Sequence, residues 1–279
     1  MASVVTWFCS RPRRALFWLW LKSVRAAANS QGLSALAERL REIVPDISKQ
    51  YSDLPVEGAY LEAKVRIQQA FQMWLVGTVI EQFQRATVVD IGDSSGAHLQ
   101  YLQSLYGQGR TIRTLSVNLD PKAVERIRAK GLEAVCAPAQ DLERYQVAAD
   151  IFLCFETLEH LTDPIRFLYA LAEKTPARYF VATIPFLRRS RMGLHHIRAR
   201  RSASVSAEEV HLFELCPADW KLLAMHAGWR VRTERVYLQY PRWHPMWLTK
   251  FLWRKLDFEG FYGMVLEKDN SWSKKYADW

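Results

Sequence analysis

The chain has 279 residues, of which 49% are hydrophobic and 24% are charged, and it carries a formal net charge of +9 at pH 7. This composition excludes a disordered chain, and the length suits one large α/β domain with additions. The four cysteines show neither close pairing nor the spacing of a metal site: Cys9, Cys136, Cys154 and Cys216. We therefore expect reduced thiols and no metal.

The N-terminal segment, residues 1–33, is rich in tryptophan and arginine. Its apolar run ALFWLWL has only seven residues, which is too short to cross a bilayer. Lys22 and Arg25 argue against a cleaved signal peptide, so we expect a cytoplasmic protein. Two interpretations stay open: an amphipathic helix over residues 10–28 at the inner face of a membrane, or a cap or dimer contact formed with the tryptophan-rich C-terminal end.

Residues 34–85 predict two helices in front of a sheet. The segments LSALAERLREIV and LEAKVRIQQAFQMWLVGTVIEQF place apolar residues three and four positions apart, which is the spacing of a buried helix face. The loop at 45–58 separates them. We expect these helices either to pack against the sheet or to cover a ligand.

The segment ATVVDIGDSSG, residues 86–96, predicts a buried strand that leads through a glycine-bearing turn into a helix. Gly92 and Gly96 allow the backbone to turn sharply and to approach a ligand closely. The spacing is not that of a dinucleotide site, and Asp90 and Asp93 would repel a pyrophosphate. An acid at this position favours a cationic ligand such as S-adenosylmethionine, which has a sulfonium and an ammonium group.

Four more strands are predicted downstream, within residues 114–121, 132–143, 148–164 and 177–186, with a helix at 123–131. Strands that alternate with helices indicate parallel βαβ units. Residues 217–231 then predict a helix, and residues 229–238 and 260–268 predict the last two strands. The segment 241–259 between them is a tryptophan- and proline-rich insertion that we expect to be partly helical.

Four motifs in this order, VVDIGDSSG, VNLDP, APAQDLE and ADIFLCFETLEHLTDP, resemble those of class I S-adenosylmethionine-dependent methyltransferases. The similarity is to the small-molecule type with an LEHxxDP signature, over residues 86–187 and more loosely 207–268. It implies a methyltransferase domain at 86–270 and a tail at 271–279. The implied fold is a Rossmann-like, doubly wound α/β fold with N-terminal helices and a mostly parallel seven-stranded sheet whose final strand is antiparallel.

The resemblance also implies where the cofactor S-adenosylmethionine lies, although three positions depart from the pattern. Ser94 replaces a glycine, Asn118 replaces an acid that holds the ribose, and Pro138 replaces an acid beside the adenine. The residues expected to bind the cofactor are Asp90, Gly92, Ser94, Gly96, Asn118, Asp120, Ala139, Gln140, Asp141 and Phe155.

Methyl transfer depends mainly on positioning, and an acceptor hydroxyl benefits from a nearby base. The candidate catalytic bases are His160, His211 and Glu156, in that order. Glu156 follows the fourth strand, which is expected to lead into a helix or a turn. His160 shares the face of Glu156 if the segment is helical. His211 is expected to reach the same site.

A basic arm at 188–201 contains six arginines, two histidines and no acid. It is either a solvated loop or a surface in which Arg198, Arg200 and Arg201 bind an anionic acceptor. We expect a methyltransferase that acts on a small molecule, such as a sugar or a lipid-linked glycan. An RNA methyltransferase and a non-catalytic scaffold with the same fold remain alternatives, nucleic acid being the less favoured partner. The oligomeric state is left open.

Overall fold

A computed structural model describes residues 11–51, 55–145, 148–193 and 210–276. Arg198, Arg200 and Arg201, which the sequence predicts to bind the acceptor, lie outside these described residues. Within the described ranges, no helix is long and apolar enough to cross a membrane.

The main sheet has seven strands in the order β3-β2-β1-β4-β5-β9-β8. Strand β9 pairs antiparallel with both β5 and β8, and the other pairings are parallel. The sheet therefore has the predicted topology. Its strands are β1 Arg85–Ile91, β2 Thr111–Asn118, β3 Ala134–Cys136, β4 Ile151–Phe155, β5 Tyr179–Pro185, β8 Trp229–Leu238 and β9 Gly260–Lys268, and a separate hairpin is formed by β6 Arg191–Met192 and β7 Phe213–Glu214.

Eight described α-helices surround the sheet. They are α1 Arg11–Ser30, α2 Ser34–Ile43, α3 Ala59–Ile80, α4 Ala97–Tyr106, α5 Pro121–Ala129, α6 Pro164–Lys174, α7 Pro217–His226 and α8 Lys250–Leu256. Helices α1 to α3 share one apolar core with one face of the sheet, and α6 and α7 cover the other face. Both layers bury the strands, which explains why β1 and β5 are apolar on both faces.

Helix α3 lies directly on the sheet because β9 has a glycine beneath it. A Cβ atom at Gly263 would overlap Leu75 and would lie 2.8 Å from the ring of Phe71. The missing side chain thus allows α3 to approach β9, and this contact fixes the polar residues of α3 over the end of the sheet.

The two tryptophan-rich ends of the chain pack together. The rings of Trp20 and Trp253 stack with centroids 5.2 Å apart, and both side chains are buried. The Ser23 hydroxyl donates to the Gln239 carbonyl oxygen at 2.9 Å and lies 2.8 Å from the Thr249 hydroxyl. This is the cap interpretation of the sequence, and it removes one face of α1 from any membrane contact.

The structure defines two local features more narrowly than the sequence did. The third strand is limited to Ala134–Cys136, and a 3₁₀ helix follows at Ala139–Tyr145. The segment after β4 is a single 3₁₀ turn, Leu158–His160, so Glu156 and His160 do not share a helix face. The backbone at Glu156 instead has a φ of 50°, a left-handed conformation that breaks the regular structure at this point.

Candidate functional site

The loop between β1 and α4 lies against the segment that follows β4. Gly92 has a φ of 92°, and a Cβ atom there would overlap the Thr157 hydroxyl oxygen. Asp93 folds the loop because its Oδ1 accepts the N–H groups of Ser95 and Gly96, both at 3.0 Å. Ser94 is half-buried. The predicted loop residues therefore line one tight turn at the carboxyl edge of the sheet, where ligands of such sheets bind.

A buried chain of polar groups starts from Asp90 in this loop. Asp90 Oδ2 lies 2.8 Å from His98 Nδ1, and His98 Nε2 lies 3.0 Å from Gln72 Oε1. The Gln72 amide donates to the Thr183 hydroxyl at 3.2 Å, and Thr183 hydrogen-bonds Glu156. These hydrogen bonds join the end of β1 to the ends of β4 and β5.

Both ring nitrogens of His98 face acceptors, so the imidazole donates from both when it is protonated. Burial lowers the pKa of His98, but the charge of Asp90, its hydrogen bond and the charge of Asp93 together outweigh burial, so the net shift is upward. Burial raises the pKa of Asp90, and the His98 charge opposes that shift. The pair therefore holds a proton well in the folded protein.

Two carboxylate oxygens near the loop accept no hydrogen bond from the described residues. Asp90 Oδ1 and Asp93 Oδ2 are buried and have no hydrogen-bond partner among the described residues. Buried acceptors without donors favour a cationic or hydrogen-bond-donating ligand. This arrangement fits the sulfonium and ammonium groups of S-adenosylmethionine and does not fit a phosphate.

The predicted ribose-binding residues make hydrogen bonds within the protein. The Asn118 amide donates to the Asp93 carbonyl oxygen at 3.0 Å, and Asn118 Oδ1 accepts the Asp120 N–H at 2.8 Å. Asp120 caps α5 by accepting the Lys122 N–H at 2.9 Å. Asn118 thus ties β2 to the loop, and its role toward a ribose stays a prediction.

The remaining predicted cofactor residues lie around the same edge. Gln140 is exposed, and Ala139 and Asp141 are half-buried, all in the 3₁₀ helix after β3. Phe155 is buried, with its ring 5.0 Å from that of His98 in an edge-on contact. Phe155 therefore packs against the polar chain, which gives it a structural role in addition to the predicted one.

The candidate bases occupy two separate environments. The rings of His160 and His211 are 4.7 Å apart, so the structure brings these two histidines together as predicted. Burial and the neighbouring His160 lower the pKa of His211 to about 4. Burial raises the pKa of Glu156 to about 8, against the hydrogen bond from Thr183.

Sequence reasoning missed several residues of this site. His98, Gln69 and Gln72 are buried beside the loop, and Gln50 accepts the hydroxyl hydrogen of Ser95 at 2.9 Å. The sequence offers a signal only for Gln69 and Gln72, which are glutamines among the buried apolar residues of α3. Glutamine at a core position of a helix indicates a buried polar partner.

Comparisons with known proteins agree with this geometry. Residues 89–173 match a family described as "Methyltransferase domain", which covers less than half of the chain and includes the β1–α4 loop, Asn118 and the Glu156–His160 segment. No curated protein sequence matches the chain.

Solved structures share the fold at low sequence identity. A protein assigned as a sarcosine dimethylglycine methyltransferase from Galdieria sulphuraria has a TM-score of 0.53 at 14% identity, with 76% of this chain and 88% of that chain covered. The [4+2]-cyclase SpnF has a TM-score of 0.52 at 10% identity, with 88% and 96% covered. A protein assigned as an S-adenosylmethionine-dependent methyltransferase from Listeria monocytogenes has a TM-score of 0.50 at 11% identity, with 72% and 99% covered.

The protein therefore has the Rossmann-like fold of the methyltransferases. The family match and this fold together support S-adenosylmethionine as the cofactor, as the sequence predicted. Because the cyclase SpnF shares the fold, the fold alone does not define a reaction.

Proposed function

We propose that this protein is an S-adenosylmethionine-dependent methyltransferase that acts on a small-molecule acceptor. The observation that carries the proposal is the match of residues 89–173 to a methyltransferase domain, together with the unmatched Asp90 and Asp93 oxygens inside that range. The bound cofactor supplies an electrophilic methyl group on its sulfonium. Asp90 and the turn at Gly92 would hold its methionine end, and Asn118 or Asp120 would lie toward its ribose.

Glu156 is the base that we favour among the three candidates. It stands directly after β4 with a strained backbone, and its Oε1 is buried with no hydrogen-bond partner among the described residues. Once ionised, a carboxylate with a pKa near 8 is a stronger base than an imidazole with a pKa near 4. Replacing Glu156 with Gln should lower kcat by about 10²–10⁴-fold and leave cofactor affinity unchanged.

The acceptor in this proposal carries an anionic group, as in an acidic sugar or a lipid-linked glycan. The support is the arginine-rich sequence of the arm at 188–201, which leaves β5 at the carboxyl edge of the sheet. Replacing Arg198, Arg200 and Arg201 with Ala should raise the acceptor KM and leave cofactor affinity unchanged. Normal turnover by this variant would mean that the arm is a solvated loop with no role in acceptor binding.

We also propose that one face of the protein contacts a membrane surface. Trp18, Trp247 and Phe251 are exposed, and the Lys250 ammonium lies 3.1 Å from the Trp247 ring centroid. Exposed aromatic side chains beside lysine suit an anionic lipid interface. The protein should co-sediment with anionic vesicles at low salt, and a Trp247→Ser/Phe251→Ser variant should not; full-length protein that stays in the supernatant would rule this contact out.

The central test is calorimetry of the purified protein with S-adenosylmethionine and S-adenosylhomocysteine, followed by mass spectrometry of methylated metabolites. Binding should be at least about tenfold weaker in Asp90→Asn, a loss of about 1.4 kcal/mol. The matched variant Glu173→Gln, in an exposed position, should bind normally. A wild-type protein that binds neither compound would refute the proposal and favour a scaffold, whereas salt-dependent RNA binding would favour an RNA methyltransferase.

A further inference from the structure

Three side chains from distant parts of the sequence converge beside the end of β4. One potential ligand atom from each of Glu159, His160 and His211 lies within 4.8 Å of those of the other two. Metal–ligand bonds of about 2.0–2.2 Å place neighbouring donor atoms about 3–4 Å apart. Small side-chain rotations would therefore bring these three ligand atoms to coordination distance of one ion.

Glu159 is the observation that points to a ligand at this place. The residue is only 2% exposed, and both of its carboxylate oxygens are buried with no hydrogen-bond partner among the described residues. A buried carboxylate is unfavourable unless it is paired or coordinates a cation. No described cation pairs with Glu159, so its carboxylate has no partner in the part of the chain that the structure describes.

Both histidine rings of the cluster have close neighbours. His160 Nδ1 lies 2.9 Å from the Val210 carbonyl oxygen, and since a carbonyl only accepts, the lone pair of the neutral ring is on Nε2. The His211 ring is stacked on Phe258 at 5.4 Å, and its Nδ1 lies 3.8 Å from Glu214 Oε1. These neighbours hold both rings in place.

The β6–β7 hairpin brings His211 to the other two residues. The Leu212 N–H donates to the Glu159 carbonyl oxygen at 2.7 Å, and the Gly193 N–H donates to the Leu212 carbonyl oxygen at 3.1 Å. A Cβ atom at Gly193 would overlap the His211 carbonyl oxygen. Glycine at this position thus allows the close approach that completes the cluster.

We propose that Glu159, His160 and His211 bind one divalent first-row transition metal ion, such as Zn²⁺, with coordination positions left open to another ligand. Two imidazoles and one carboxylate form a donor set that suits Zn²⁺, Co²⁺ and Fe²⁺. The site goes beyond methyl transfer because binding of the ion requires neither cofactor nor acceptor. It also differs from the sequence prediction of no metal, which considered cysteine spacing only.

The test is metal binding by the full-length protein after chelation, without cofactor or acceptor. Wild type should bind one equivalent of Co²⁺ with visible ligand-field absorption, and Zn²⁺ should raise its Tm. Glu159→Gln and His211→Asn should each weaken binding by at least about tenfold. Glu159→Gln should also keep or raise the Tm of the metal-free protein, because it replaces a buried carboxyl group that has no hydrogen-bond partner among the described residues.

Two control variants make the result specific. His244→Asn changes an exposed histidine and should bind the metal as wild type does. Asp93→Asn tests the other described cluster of potential ligands, which contains Asp90, Asp93 and His98, and it too should bind normally. Absence of binding by wild type, equal binding by a folded Glu159→Gln, or loss in Asp93→Asn alone would each overturn the proposal.

Discussion

The buried pair of Asp90 and His98 gives the sharpest prediction for stability. Replacing His98 with Leu removes the imidazole that lies 2.8 Å from Asp90 Oδ2. Asp90 is 1% exposed, and its other oxygen already has no partner among the described residues. The variant therefore leaves a buried carboxylate without any described hydrogen-bond donor from a side chain.

The magnitude follows from the burial of both groups. Breaking a buried ion pair by removing one partner costs about 3–5 kcal/mol, which is a large fraction of the roughly 5–15 kcal/mol stability of a domain. The free energy of unfolding of His98→Leu should fall by that amount at pH 7. The exposed histidine His244 accepts one backbone N–H, from Met246, so His244→Leu should cost less than about 1 kcal/mol.

Urea unfolding of a double-mutant cycle isolates the interaction. Asp90→Asn, His98→Leu and the double variant should give a coupling free energy of at least about 1.5 kcal/mol, since the two side chains are in contact. The expected sign is that the double variant loses less stability than the sum of the single losses. A coupling near zero, or wild-type stability in His98→Leu, would refute the inferred pairing.

The same pair predicts a pH dependence. The pKa of His98 is raised in the folded state above its value of 6.5, so the folded protein binds the proton more tightly than the unfolded chain. The stabilisation is fully present below about pH 6.5 and is lost as the pH rises through the folded pKa. Unfolding of wild type should show this decline, and the Asp90→Asn/His98→Leu variant should lack it.

Three further predictions concern cofactor binding and the packing of helices. Gly92→Ala should weaken cofactor binding in calorimetry at least about tenfold. The new Cβ would displace Thr157, and the φ of 92° is unfavourable for alanine. Unchanged affinity would contradict the placement of the cofactor at the β1–α4 loop. Trp253→Ala should cost about 3–5 kcal/mol in urea unfolding, whereas Trp18→Ala, at an exposed position, should change stability by about 0.5 kcal/mol or less; equal effects would contradict the cap. Gly263→Ala should lower the free energy of unfolding by about 1–3 kcal/mol, because the new methyl group crowds α3. A Tm equal to that of wild type would show that α3 moves away at no cost.

The elements of the sheet could be predicted from the sequence because their patterns are local. β8 and β9 occur at the predicted bounds, and β1 ends at Ile91, before the predicted glycine-bearing turn. An apolar run bounded by polar residues and glycine defines such a strand without reference to the rest of the chain. The order of the motifs likewise led to S-adenosylmethionine before any geometry was known.

The partners of the polar side chains depended on the tertiary structure. Gln72 and His98 are 26 positions apart, and Gln72 and Thr183 are 111 apart. No periodicity links them, because the packing of α3 on β5 and β9 is what places its glutamines over the sheet. The same holds for Trp20 and Trp253, where the sequence left a membrane contact and a cap as equal alternatives.

The region around Glu156 shows most clearly what the sequence determined and what the tertiary structure decided. The sequence by itself identified Glu156, His160 and His211 as chemically relevant and predicted that the two histidines share a site. It left a helix or a turn open after β4, and the chain makes a left-handed turn at Glu156 and one 3₁₀ turn after it. The Leu212 N–H holds the β6–β7 hairpin to the Glu159 backbone, and His211 then lies with its ring 4.7 Å from that of His160. Residue type and order determined which groups take part, whereas long-range packing decided which of them meet.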